Sequence, residues 1–424
     1  MTMQPLPPSV ETIISSRPVV PQITSDAHIF IVGEGLNNTL TPIPYTNNRD
    51  ELLSHVADGS YMAEVISDIF SQATPLVSIS TRAGTPTVEQ LRDLMRDTID
   101  FLSPSPTIIY APQYTGNGTS VGTIGTTAVA EGDTNITLVA VPTIDVTGDV
   151  LIIEDEIIRV TEVNSAVLTV ERGVFGSTAA PHAAGLNVLD FTNALCVEMQ
   201  SQASRLECSA VADAPNTQNV NHAIAWAESG NTSPDVMGVN NWADGHPPGG
   251  AWIGAVLRNA ADNGLQRGIE TIPVGGVSGL VQGLAYHPRE RTDSTVSRLV
   301  GAYLSNLVRR EGQVIIVGDT FRGVTDARRI WSNAQVVHRL QRLLEHAASA
   351  YIGRVSSEAN MNQAAFQIEA AGATMVNDGA IASIKVVPHP VRNTEAERRL
   401  GRAQFQAEVT LFTPIDHPVI NLTI

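Results

Sequence analysis

A single lysine, Lys385, stands in the 424 residues, against 25 arginines. With one lysine and no G-x-x-x-x-G-K-[ST] run, a phosphate-cradling P-loop is excluded. Cysteine is nearly as scarce: Cys196 and Cys208 are too few for a disulfide framework or a four-ligand zinc site. Reduced burial as small apolar side chains is the expectation for both. The ten histidines include no H-E-x-x-H pair, and four of them (His246, His287, His389, His417) precede proline, which favours extended backbone over a shared helical face. No cofactor or metal is therefore expected. Basic charge is also short. There are 43 acids to 26 bases, a formal charge of −17, and such a surface repels phosphate and anionic lipid. Direct nucleic-acid binding is not expected. No run approaches the ~18 uncharged apolar residues of a membrane span, and no basic start with an apolar core marks a secretory signal. A protein made in the cytoplasm, with no membrane insertion, is the expectation.

What is present is enough apolar residue, 43%, for real cores, and length for two to three domains of about 150 residues. The charge is split. Residues 1–282 carry 30 acids and 10 bases, and residues 283–424 carry 13 acids and 16 bases. Arginine suits planar pairing at interfaces, so the split fits either contacts between copies or a compositional habit of the source genome.

The pattern predicts a mixed α/β (α+β) fold. Residues 1–22, proline-flanked with short β-like runs, read as an extended N-terminal arm. Strands at 28–32, 76–80 and 107–111 alternate with amphipathic helices at 60–70 and 88–102, which argues for an α/β layer. After Tyr114 the composition turns to Gly, Thr and Val, and a meander of short strands is expected through residue 192. The alternation resumes at 193, with helices expected at 193–206, 249–263, 292–309 and 334–352 and strands at 208–212, 313–317 and 381–387. The resulting division is an arm (1–22), an outer α/β domain (23–112 with 193–282), an inserted β domain (113–192), an inner domain (283–403) and a C-terminal arm (404–424). The insertion is expected to lie outside and to be dispensable.

Catalytic signals are thin. Gly118-Thr119-Ser120-Val121-Gly122 fits the G-x-S-x-G elbow, which would make Ser120 a hydrolase nucleophile. The elbow needs a strand directly before the serine and a helix directly after it; the following GTIGTTAVAEGDT is a poor helix. The triplet Glu154-Asp155-Glu156 lacks the spaced oxygens of a calcium loop and reads as a solvated hairpin turn.

The order of segments resembles the contractile-tail sheath proteins of phages and related injection machines. PPSVETIISSRPVVPQITSDAHIFIVGEG is similar to their arm and first strand, and SYMAEVISDIFSQATPLVSIS to the helix–strand pair behind it. CSAVADAP resembles their strand and Asp-x-Pro turn, HPPGGAWIGAVLRNAADNGLQRGIETIPVGGVSGL their Pro-Pro-Ser-Gly stretch and helix, and GQVIIVGDTFRG with IWSNAQVVHRLQRLLEHAASAYI a strand and long helix. NTEAERRLGRAQFQAEVTLFTPIDHPVINLTI is similar to their closing strands. His338 stands where the family commonly has its first arginine, leaving Arg339 as the match.

The resemblance implies a structural, non-enzymatic subunit of a virion tail, assembled in the host cytoplasm. Its copies would form hexameric rings stacked helically around an inner tail tube protein, bounded by a baseplate and a tail terminator. Contraction would drive the tube through a bacterial envelope. Arms would add strands to neighbouring sheets, through Val10, Ile13, Ile14, Val19 and Val20 at one end and Phe405, Val409, Leu411, Val419, Ile420, Leu422 and Ile424 at the other. Arg309, Arg310, Arg322, Arg328, Arg329, Arg339, Arg342 and Arg354 would face the tube or a neighbour. A baseplate or other passive part of the same particle is the alternative.

Overall fold

The computed structural model describes residues 27–39, 41–112, 118–142, 146–286, 294–399 and 402–412. The chain opens with β1 (His28–Gly35), β2 (Ile43–Thr46), α1 (Arg49–Leu53), α2 (Tyr61–Gln72), β3 (Leu76–Ala83), α3 (Val88–Thr98) and β4 (Ile108–Tyr110). Six strands follow: β5 (Thr119–Thr123), β6 (Asn135–Thr137), β7 (Val150–Ile153), β8 (Glu156–Asn164), β9 (Val167–Glu171) and β10 (Asn187–Asp190). Then come α4 (Ala194–Leu206), β11 (Ser209–Asp213), α5 (Val220–Trp226), β12 (Val236–Asn240), α6 (Pro248–Asn263), α7 (Thr295–Gly301), β13 (Leu304–Arg310) and β14 (Gln313–Val317). The last elements are α8 (Trp331–Ser349), α9 (Glu358–Asn377), β15 (Ile381–Pro388), α10 (Glu395–Arg399) and β16 (Phe405–Leu411).

Eight strands form one sheet in the order β14-β13-β12-β11-β4-β1-β3-β2. The six from β13 to β3 run parallel, with β14 and β2 antiparallel at the edges. Parallel strands covered on both faces need apolar residues at successive positions, and Ile29–Val32 are all fully buried. Alternate residues serve alternate faces. Phe30, Val32, Ile109 and Ala210 pack with Leu91, Leu195 and Leu299 on one side, whereas Ile29, Ile31, Tyr110 and Val211 pack with Val65, Trp252 and Trp331 on the other. Capping fixes where helices begin: Ser60 caps α2, and Thr87 with Gln90 forms a reciprocal box at α3.

The sheet does not stop at residue 282. Strand β13 pairs parallel with β12, so 304–317 belong to the α/β sheet and not to a separate inner domain. The helix expected over 292–309 ends at Gly301, because Tyr303 adopts φ 62° and the β-branched, apolar run behind it enters the sheet. Arg309 and Arg310 are accordingly strand residues. Both sheet edges are blunted. The segment 271–274 pairs along β14 through Thr271 N–H to Ile316 O (2.8 Å) and Val274 N–H to Val314 O (2.8 Å). At the other edge β2 is four residues long and holds Pro44.

The insertion is a six-stranded sheet, β5-β10-β7-β8-β9-β6. A bridge between Ile124 and Leu138, with Gly125 N–H donating to Thr137 O (2.7 Å), joins its two edges and closes a small barrel. Ile136, Leu151, Ile158, Leu168 and Val188 fill its interior.

Candidate assembly surface

The remaining two strands, β15 and β16, form a separate antiparallel pair running from Ile381 opposite Leu411 to Pro388 opposite Phe405. One face lies on α8 and α9. Val336, Leu340, Met375 and Ile381 form a cluster joined by Val409 and Leu411, while Ala365, Ile368 and Val386 form a second joined by Phe405. Close approach of α9 to β15 depends on Gly372, where an added Cβ would lie 2.5 Å from Ile384 Cδ1. The outer edge of β15 is partly satisfied, since Val386 N–H donates to Glu369 Oε2 at 2.7 Å. Among the described residues no strand pairs with the outer edge of β16. Four exposed large apolar side chains, Val355, Phe366, Val391 and Phe412, belong to this C-terminal segment of the chain.

Of the residues expected to exchange between subunits, Val10, Ile13, Ile14, Val19, Val20, Val419, Ile420, Leu422 and Ile424 lie outside the described residues. Phe405, Val409 and Leu411 are placed differently from expectation. Their side chains cover α8 and α9 of their own chain, and one edge of their strand is already paired to β15. What β16 offers outward is a backbone edge.

The eight arginines separate by environment. Arg322 is an internal tie: its guanidinium pairs bidentately with Glu228 (2.6 and 2.9 Å), donates to Thr232 Oγ1 (2.9 Å) and lies 5.1 Å over the Tyr303 ring. Arg342 is also turned inward, donating to Pro106 O (2.7 Å) and Glu207 O (2.9 Å). Neither presents charge to a partner. Arg309 donates to Ser278 O, Arg310 lies 5.9 Å over the Tyr286 ring, and Arg328 pairs with Asp326 two residues back (2.8 Å). Arg339 is half-buried on α8. Arg329 and Arg354 are exposed, the latter over Tyr351 at 4.6 Å.

Ser120 lies inside β5, facing Leu189 of β10, and its hydroxyl donates to Gly122 O (3.2 Å). A serine within a strand, with another strand segment after it, has none of the elbow geometry that exposes a nucleophile. Among the described residues no group of three His, Cys, Asp or Glu could hold a metal. Both cysteines are buried and neither is in a disulfide with the other; burial pushes the Cys196 thiol up and the Cys208 thiol to about 12.

The acidic triplet is the exposed hairpin turn its sequence suggests at Glu154 and Asp155, but not at its third residue. Glu156 is buried, gripped by Arg172 (2.5 and 2.7 Å), His182 Nε2 (2.8 Å) and the N–H groups of Gly173 and Ala180 (both 3.0 Å). Burial opposes its charge, but these donors prevail and hold its carboxyl below the usual range. The turn at Glu154-Asp155 docks on the start of α5: Asn221 Nδ2 donates to Asp155 O (2.6 Å) and His222 Nε2 to Glu154 O (2.9 Å). Arg298 of α7 bonds Asn221 Oδ1 (2.7 Å) and Phe175 O (3.3 Å). Val150, Ile152, Ile157, Val174 and Phe191 enter the same core as Ile224 and Leu299. The barrel is packed onto the sheet's helices and shares their core, so it is not the loosely tethered appendage its composition suggested.

Searches against protein-family models and curated protein sequences find no match. Solved structures do match in fold. A chain of the anti-feeding prophage baseplate, 6-fold symmetrised, superposes with a TM-score of 0.64 at 10% identity, covering 99% of both chains. The anti-feeding prophage helical sheath in its contracted state gives 0.60 at 11% identity over 98% of each. The contracted sheath complex of an extracellular contractile injection system, PVC, gives 0.59 at 11% identity, covering 100% of this chain and 98% of that one. The chain has the fold seen in contractile-sheath assemblies, over its whole length.

Proposed function

We propose that this chain is the sheath subunit of a contractile tail, polymerising as stacked rings around an inner tube and contracting to drive that tube through a bacterial envelope. The observation that carries the reading is end-to-end agreement with chains of contracted sheaths, together with a two-stranded pair, β15–β16, whose outer edges no other described strand covers. Arms of neighbouring copies, residues 1–22 and 413–424, add strands to the β15–β16 pair, where backbone bonds supply affinity and alternate side chains supply register. The role is mechanical, with the working energy stored in assembly; inner tube, baseplate and tail terminator are the partners.

A burial gain of about 1.5–3 kcal/mol per aliphatic side chain is set against about 1–2 kcal/mol per ordered residue. A single arm contact is therefore weak. Repetition holds a polymer while an isolated subunit stays soluble.

The second reading, a baseplate part of such a particle, is favoured by the match to a baseplate structure. Negative-stain microscopy of the purified full chain separates the two: long hollow sleeves are expected of a sheath, and closed rings or single particles at every concentration would overturn it.

A further inference from the structure

Beneath the starts of β1, β3 and β4, between the end of α4 and the facing sides of α6, α8 and α9, the fold leaves a cavity of about 810 Å³. That volume lies in the range of about 300–1,000 Å³ typical of small-molecule sites. Its walls are largely apolar, built from Leu76, Ile108, Val256, Leu265, Leu343 and Met375. One stripe of α8 crosses it, with Ser332, Gln335, His338 and Arg342 at three- and four-residue spacing.

That stripe carries polar atoms without partners. Arg342 uses one terminal nitrogen on two neutral carbonyls, its Nε bonds nothing, and among the described residues it forms no ion pair. Ser332 Oγ and His338 Nδ1 are likewise buried and unpartnered, as is Glu207 Oε2 on the opposite wall. The Glu207 and Glu345 carboxylates lie near enough to act on the charge of Arg342 but neither bonds it, and a guanidinium drawn into an apolar recess without a direct partner is costly to maintain. Burial, with help from Arg342, pushes His338 down to about 4, so near neutrality its ring donates one N–H without competing for the anion. Burial and the neighbouring Glu345 push Glu207 up, weakening one of the two carboxylates near Arg342.

We propose that this cavity is a binding site for a small apolar-bodied carboxylate, its anionic head on Arg342 Nε and the His338 ring one helical turn away, its hydrocarbon body along Leu76, Ile108, Leu265 and Met375. The site is independent of strand exchange, since none of its walls comes from β15 or β16.

Octanoate, octanol and acetate titrated into the purified full chain by calorimetry test it. Octanoate is expected to bind saturably at one site per chain, octanol and acetate at least tenfold more weakly. Arg342→Gln is expected to lose octanoate at least tenfold. Because Arg342 also holds two carbonyls, Ala260→Phe serves as the second variant: it fills the recess from α6, leaves circular dichroism unchanged and is expected to abolish binding. Equal binding of octanol and octanoate, absence of octanoate binding, or undiminished binding in a folded Ala260→Phe chain would each overturn the assignment.

Discussion

The Tyr110 hydroxyl donates to Asp213 Oδ2 at 2.8 Å, tying neighbouring parallel strands β4 and β11, while Asp213 Oδ1 accepts the Gly249 N–H of α6 at 2.9 Å. All three residues are buried, and a Cβ at Gly249 would lie 2.6 Å from the Tyr110 ring. Tyr110→Phe is expected to cost about 1–3 kcal/mol, the desolvation penalty of a buried carboxylate left one donor short. Gly249→Ala is expected to cost about 1–3 kcal/mol by overpacking. Urea unfolding with unchanged slope reads both.

Asp68 sits with Glu64 and Asp244 around His246, and burial pushes its carboxyl up to about 6 from 3.8. Ionisation therefore works against the folded state as pH rises from about 4 through about 6. Asp68→Asn is expected to raise stability by about 1–2 kcal/mol at pH 7.5, a discounted share of the ~1.4 kcal/mol that each tenfold change in proton affinity is worth, and to change nothing below pH 4. Melting curves across that range check it; a gain of equal size at pH 3.5 would show that charge is not the cause.

Glu156 behaves in the opposite sense. Its folded pKa is below the ordinary 4.5, so its contribution is complete above that value and vanishes as pH falls through the lowered one. Arg172→Met leaves a buried carboxylate without its main partner and is expected to cost about 3–5 kcal/mol, measured by chemical unfolding at pH 7. The deficit should shrink on acidification.

The terminal arms and strand β16 should separate in a truncation series. Removing residues 1–20 or 414–424 is expected to leave circular dichroism and melting midpoint intact and to abolish sleeves. Removing everything from residue 404 is expected to lower the midpoint as well, since Phe405, Val409 and Leu411 then no longer cover α8 and α9. Sleeves from either short truncation would sink strand exchange.

Replacing residues 115–192 by a short Gly-Ser bridge from Tyr114 to Asn193 strips Val150, Ile152, Ile157, Val174 and Phe191 from the core shared with Ile224 and Leu299. The product is expected to melt lower and to bind a dye for exposed apolar surface. An unchanged midpoint would show that the seam contributes little.

Much of the architecture is legible in the sequence because large aliphatic residues recur at strand or helix spacing, as in β1, α3 and α8. Helix α9 escapes such a reading because its stripe is Met361, Ala364, Ala365, Ile368, Gly372 and Met375, where small residues stand in for the usual bulk. Ser357, whose hydroxyl caps Asn360 N–H, is the one local signal of its start. Strand β12 is five residues with a glycine packed against Trp226 and Leu304, too short for periodicity to register. The inward roles of Arg322 and Arg342 have no local signal at all, because Glu228 and Pro106 are 94 and 236 residues away.

Closure of the inserted barrel has a consequence for how copies recognise one another. With the barrel rimless, β14 sheathed by 271–274 and β2 shortened around Pro44, the described residues leave the two outer edges of the β15–β16 pair as the principal open hydrogen-bonding rails. A building block whose open edges are confined to one such pair has low valence. Low valence favours extension in a chosen direction over branching, the difference between an ordered filament and the gel that a many-edged molecule would form.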